Sequence, residues 1–332
     1  MKRPVILSCL VIAVVAVLVS APFIGMKHIS VGAVLTGSSS GVDSDIFWKI
    51  RIPRVLVAFL SGMALAVSGM TFQALFRNPL ATPFTLGVSS GAAFGAAAYV
   101  RLGLVFTFLG ISGQSVGAFG GALAAILIVY GLTQARRGFS TATMLLAGVA
   151  VSFFFTSLIL FIQYMSDFTH SFRIVRWLMG GLEVVGYRPV LTLAPFVLVG
   201  SAVVLALFRE LNLMLMGEDI AASRGVSVKT LKNTLFFATS LMVGGVVAIA
   251  GPIGFVGMMS PHICRLIIGH DHRWLGPATI LFGGMFLTVC DTLSRTLIAP
   301  AEIPVGVITA LLGGPFFLWL LIGGMSERGV VK

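Results

Sequence analysis

Charge is what this sequence has least of. Only 10% of its 332 residues are Asp, Glu, Lys or Arg, against about 25% in soluble domains. Acids are the rarer sign, 11 against 22 Lys and Arg. No soluble core could hide side chains that are 58% hydrophobic, so lipid must be the solvent for much of the chain. Cysteine is scarce too. Cys9, Cys264 and Cys290 lie inside apolar segments without CxxC or paired Cys/His spacing, so neither a disulfide framework nor a metal site is expected, and they read as small apolar residues. There is no Gly-Lys pair and therefore no P-loop, no H-E-x-x-H, and no visible nucleophile set. No catalytic residue is assigned. The net charge of +11 fits basic loops beside anionic lipid better than nucleic acid.

What is present is a series of uncharged stretches. Pro4–Met26, Val55–Phe76, Asn78–Val100, Leu102–Ala135, Gly138–Ser166, Pro189–Phe208, Asn233–Cys264, Trp274–Cys290 and Ile303–Ser326 contain no charged residue. A helix needs about 20 apolar residues to cross the hydrocarbon. Barrel strands would be shorter and alternate in polarity. Backbone groups in lipid must pair within their own segment, so these stretches predict an all-α polytopic membrane protein.

Ten spans are expected, with cores at Val5–Phe23, Val55–Leu75, Thr85–Val100, Val116–Leu132, Ala142–Tyr164, Val190–Phe208, Thr234–Ala250, Phe255–Ile267, Ala278–Leu297 and Val305–Ile322. Gly251, Pro252 and Gly254 break the seventh from the eighth. Lys2 and Arg3 before an apolar run outline a secretory signal, but the run is long for one and is read as a retained first span. With the N-terminus inside, inner segments hold 13 Lys and Arg, including Lys2, Arg136, Arg137, Arg328 and Lys332, and outer segments hold 9. The bias places both termini in the cytoplasm and leaves a surplus of arginine outside. Gly91-x-x-x-Gly95 and Gly113-x-x-x-Gly117-x-x-Gly120 have helix-contact spacing. An inverted repeat is also expected, pairing Gly69, Pro79 and Gly87 with Gly251, Pro261 and Gly269 at matching intervals.

Four segments stand out. In Gly217–Lys232, Glu218 and Asp219 fall in a helix's first turn, Arg224 in its last and Gly225 just past it, which complements the helix dipole. Ser227 can cap a following helix. The loop, about 210–232, is therefore folded and suits docking to a cytoplasmic partner. Arg51 and Arg54 share a helical face before span two, with Pro53 in a first turn, and Arg295 ends span nine on the same outer side. These arginines either snorkel to headgroups or grip an acidic protein. Arg77, Asn78 and Pro79 open a proline-broken segment ending at Gly87, and irregular backbone near a membrane often lines a transport path. Pro261 and His262 lie in a Gly/Pro-rich eighth span, followed by His270 and His272, which read as solvated. Asp291 is the main intramembrane acid. An ion-driven carrier usually shows more such groups, so the energy source is expected outside this chain.

The segments RIPRVLVAFLSGMALAVSGMTFQALFRNPLATPFTLGVSSGA, LLAGVAVS, GEDIAASRGVSV, GPIGFVGMMSPHICRLIIGHDHRWLGPA, DTLSR and EIPVGVITALLGGPFFLWLL, spanning 51 to 321, closely resemble the FecCD-type permeases. Those are membrane subunits of bacterial ABC importers for iron-siderophores, haem and vitamin B12. The resemblance implies a type II importer fold, one permease domain over 1–332 in the inner membrane, and a homodimer with the pathway at its two-fold interface. It implies two cytoplasmic ATPase subunits, which would bind ATP and Mg, and an external solute-binding protein; this chain would hold no cofactor. Gly217, Glu218, Asp219, Ala221, Ala222, Arg224, Gly225 and Ser227 match the family's ATPase-coupling loop, and Arg51, Arg54 and Arg295 match arginines that meet acids of the binding protein. An iron complex is the leading substrate, a corrinoid the next, and an ion-driven secondary transporter the alternative of another class. At Gly180-Gly181-Leu182-Glu183 the chain departs from the family's usual Gly-Ser-Leu-Ser.

Overall fold

The computed structural model describes residues 3–27, 29, 32, 34, 41–108, 110–135 and 141–327. Lys2, Arg136, Arg137, Arg328 and Lys332, counted above toward the inner charge, lie outside them. All ten expected spans are helices: α1 (Arg3–Ser20), α2 (Ile52–Phe76), α3 (Val88–Arg101), α4 (Gly113–Ala135), α5 (Thr141–Tyr164), then, after α6 (Phe168–Leu178), α7 (Arg188–Ala206). After α8 (Phe208–Met216) and α9 (Glu218–Ser223) follow α10 (Val228–Ala250), α11 (Val256–Ile268), α12 (His272–Thr296) and α13 (Val305–Glu327). Among the described residues, seven helices are long and apolar enough to cross a membrane: α1, α2, α4, α5, α7, α10 and α12.

Two of the remaining spans, α3 and α11, are short. α3 has 14 residues and α11 has 13, or about 20 Å each at 1.5 Å per residue, less than the roughly 30 Å hydrocarbon core. Irregular backbone precedes each, 81–87 before α3 and 251–255 before α11. It is tolerated because it is enclosed by protein: Ala81, Thr82, Leu86, Gly251 and Ile253 are buried.

α2 is the central element. It is buried along nearly its whole length and packs against α7, α10, α11 and α12. Small residues make this possible. A Cβ on Gly69 would lie 1.8 Å from the Gly257 carbonyl oxygen, and one on Gly62 would lie 2.2 Å from that of Gly283. Without interior water, backbone proximity replaces hydrophobic burial as the source of helix association. α1 packs along α12, where Arg3 Nη1 lies 3.8 Å from Asp271 Oδ2.

α3 pairs closely with α4, and glycines of both expected contact motifs lie in the seam, together with Gly121, which the spacing did not include. Gly91 and Gly95 meet the Gly121 and Gly117 carbonyls, at 2.4 and 2.0 Å from ideal Cβ positions, while Gly120 faces open space. The inverted repeat is not reflected in local conformation. Gly69 lies within α2 whereas Gly251 ends α10 at φ +67, and Pro79 lies in a turn whereas Pro261 lies inside α11. Only Gly87 and Gly269 share a left-handed φ.

Candidate functional site

The Gly217–Lys232 segment folds as its charge order predicts. Glu218 and Asp219 open α9, Arg224 is its C-cap, and Gly225 follows at φ +85. The Val226 amide donates to the Ala221 carbonyl at 3.1 Å and the Gly225 amide to Ala222 at 2.9 Å, the paired bonds of a Schellman ending. Ala221 is buried, while Asp219, Ala222 and Arg224 are exposed. Glu218 Oε2 lies 2.7 Å from the Nζ of Lys232, itself only 1% exposed, so one helical turn is pinned to the base of α10. Ser227 takes the N-cap position of α10 without capping it; its hydroxyl lies 2.9 Å from that of Thr230.

The Arg77–Pro79 turn lies beside this loop. Arg77 ends α2 at φ +47, and the Asn78 amide reaches back to the Gln73 carbonyl at 3.2 Å. Asn78 Oδ1 accepts the Leu80 amide at 2.9 Å. Arg77 Nη1 comes within 3.9 Å of where a Cβ on Gly217 would sit. Arg77, Asn78, Pro79 and His262 line one cavity of about 350 Å³, together with Gln73, Arg265, His270 and His272. Gly87 and Pro261 do not line it. Gly87 closes the 3₁₀ turn Pro83–Leu86 and packs on Val151, and Pro261 is buried within α11.

His272 is not solvated as the sequence reading had it. It is 2% exposed, and its Nδ1 and backbone N lie 2.7 and 3.0 Å from Asn212 Oδ1. Asn212 Nδ2 donates to Asp271 Oδ1, the N-cap of α12, at 2.8 Å. Burial pushes the Asp271 carboxyl up, but the Arg273 amide and the Asn212 amide hold it below the ordinary carboxylate range. This cap network ties α8, which leads into the α9 loop, to α12. No pair pattern in the sequence signals it, because Asn212 and His272 are 60 residues apart.

At the opposite end the three arginines form a cluster, but not an exposed face. Arg51, Arg54 and Arg295 are 5, 7 and 5% exposed. Arg51 Nη1 donates to the carbonyls of Pro22 and Phe23 at 3.0 and 3.2 Å, and its Nη2 to that of Lys27. Arg54 Nη2 lies 2.9 Å from Asp291 Oδ1, and its Nη1 lies 2.8 Å from Glu302 Oε2. Arg295 Nε lies 3.2 Å from Asp291 Oδ2. Spacing alone suggests a free grip; buried guanidinium groups instead need anions at hand, and Asp291 and Glu302 provide them. Near this end a second cavity, about 360 Å³, is lined by Gln114, Arg173, Arg176, Trp177 and Glu183 among others. Glu183 pairs with Arg176 on the surface at 2.7 Å, which gives the unusual acid a local partner.

Gly180, and Gly181 where the family usually has Ser, sit at a three-way crossing. The Gly181 amide donates to Ala250 at 2.8 Å and the Gly306 amide to Gly180 at 3.2 Å. Cβ atoms on Gly180, Gly251 and Gly306 would lie 2.2, 2.6 and 2.2 Å from carbonyl oxygens of Pro252, Trp177 and Met179.

A bundle of these ten helices, short α3 and α11 included, is a type II ABC importer permease fold. A solved metal-chelate type ABC transporter in an inward-facing conformation superposes with a TM-score of 0.86 at 31% identity, over 96% of this chain and 99% of that one. Residues 9–323 match the FecCD transport family model, and the chain belongs to that family. The hemin transport system permease of Yersinia pestis is 38% identical over 97% of this chain and 96% of its own. The vitamin B12 import system permease of Shigella boydii is 40% identical over 95% and 94%. The protein is thus a multi-pass ABC importer permease, and the family assignment overrides the ion-driven alternative.

Proposed function

We propose that this chain moves an iron complex, a siderophore chelate or haem, across the bacterial inner membrane by alternating access at a homodimer interface. Two cytoplasmic ATPase subunits, which bind ATP and Mg, seat the α9 loop, and a periplasmic or extracellular solute-binding protein delivers the substrate to the opposite end. Both termini then lie in the cytoplasm, lipid surrounds the bundle, and the Arg77–Gly87 segment flanks the inner end of the path. The observation that carries the reading is α9 itself: a helix closed at its C-terminal end by a Schellman pair, anchored through Glu218 to Lys232, that leaves Asp219, Ala222 and Arg224 facing outward, in a sequence without a P-loop.

The outer arginines act in this reading through the potential of their cluster, three guanidinium groups against two carboxylates, and set on-rate more than affinity. A corrinoid is the second substrate reading, favoured by the identity to vitamin B12 permeases being as high as that to the hemin permease. Asp219→Lys tests the coupling role. Asp219 is exposed, whereas Glu218→Lys would also break the Lys232 pair and confound docking with folding. Unchanged ATPase binding and transport in Asp219→Lys, combined with Ala222→Arg, would refute it. Titrating the cognate binding protein with ferric siderophore, haem and cobalamin decides the substrate.

A further inference from the structure

The cavity beside the α9 loop has a one-sided chemistry. Its wall carries Arg77, Arg265, His262, His270 and His272, and no Asp or Glu among the described residues. Arg265 is half-buried in the last turn of α11, and among the described residues its guanidinium donates only to Gln73 Oε1. Gln73 is fixed in turn, with Nε2 3.5 Å from the carbonyls of Gly257 and Met258. Among the described residues neither Arg77 nor Arg265 has a carboxylate partner. The contrast with the other end is direct: there Arg54 and Arg295 are buried with Asp291 between them. A partly desolvated guanidinium without an anion is costly, so half-buried Arg265 favours an anion supplied from outside the described residues.

A cation is the wrong occupant. Two arginines repel it, His272 Nδ1 is committed to Asn212, and no group of three metal-binding side chains exists among the described residues. The volume, about 350 Å³, equals that of about ten waters and exceeds what one tetrahedral oxyanion needs. Planar, multi-donor guanidinium groups match phosphate oxygens. Basic pockets between helices at the cytoplasmic side are known to hold lipid headgroups.

We propose that this cavity is a phosphate-binding site, with Arg265 and Arg77 as its ligands, which takes the phosphate of an anionic phospholipid headgroup or free phosphate. It lies between α2, α8, α11 and α12, and Arg77 joins it to Gly217, so the bound anion becomes part of the wall on which the α9 loop rests. The site does not depend on the identity of the transported substrate.

The full chain, purified in detergent, is exposed to phosphatidylglycerol, phosphatidylcholine or inorganic phosphate. Lipid retention is read by native mass spectrometry and phosphate binding by the thermal shift. The expected result is preferential retention of phosphatidylglycerol, reduced roughly tenfold in Arg265→Gln, reduced in Arg77→Gln, kept in Arg265→Lys and unchanged in Arg173→Gln at the other end. Arg77 is exposed, so its variant serves if Arg265→Gln does not fold. A phosphate-dependent shift with the same arginine dependence but no lipid preference would keep the site and assign it the free anion. Equal retention of both lipids with no phosphate shift, or equal losses in Arg173→Gln, would overturn it.

Discussion

Arg54 of α2 and Asp291 of α12 meet as a buried ion pair, 237 residues apart in sequence, with Arg54 Nε 3.0 and 3.2 Å from the two carboxylate oxygens. Asp291 is fully buried and also faces Arg295. Removing the shared carboxylate leaves Arg295 without an anion and Arg54 with Glu302 alone. Asp291→Asn is expected to cost about 3–5 kcal/mol, read as a lowered unfolding temperature in detergent. Glu302→Gln, at the half-open edge of the cluster, should cost distinctly less. Equal losses would show that the two acids are not ranked as the geometry ranks them.

The α3–α4 seam makes a prediction at neighbouring positions. Gly121→Ala would place a methyl 2.0 Å from the Gly91 carbonyl oxygen, whereas Gly120→Ala meets nothing within 4 Å. The first should lose about 1–3 kcal/mol through overpacking and the second should be neutral or slightly stabilising. Thermal unfolding of the two variants side by side decides it.

Gly225→Ala probes backbone strain alone, since a Cβ there also meets nothing within 4 Å. The left-handed φ of +85 predicts a loss of about 1 kcal/mol. Its effect on the coupling of ATPase activity to transport should exceed its effect on overall unfolding, because only the end of α9 is loosened.

A pH effect is expected at α6. Asp167 accepts the His170 amide at 2.8 Å and lies 2.7 Å from its Nδ1. The backbone bond first, and the ring second, hold the carboxyl below its ordinary range. A folded-state pKa below the unfolded one gives stability that is present above about pH 4 and lost as pH falls through the lowered value. Amide exchange at His170 and Ser171, corrected for intrinsic rates, should accelerate on acidification in the native chain. In Asp167→Ala it should be fast at every pH. PH-independent protection in the native chain would contradict the cap.

The spans were legible because lipid makes apolarity and helix the same requirement, and the ends of α9 were legible because capping is local: Glu218, Asp219 and Gly225 lie within one short stretch. Long-range partners were not. Arg51 and Arg54 look free until Pro22 and Asp291 are brought to them. His272 looks solvated until Asn212 covers it. α6 had a readable signal, Asp167 as N-cap followed by a strongly amphipathic Phe168–Leu178, but it is too polar and too short to register as a span. In the α3–α4 seam the glycine spacing marked each helix as a contact surface but showed neither which helix it meets nor that Gly121 rather than Gly120 faces the partner.

At the crossing of Gly180, Gly251 and Gly306 three main chains touch with no side chain as cushion. Packed side chains can absorb a small displacement by changing rotamer; carbonyls and amides in van der Waals contact cannot. The joint therefore admits no side chain: a methyl on any of the three glycines has to push apart the segments that join α6, α10, α11 and α13.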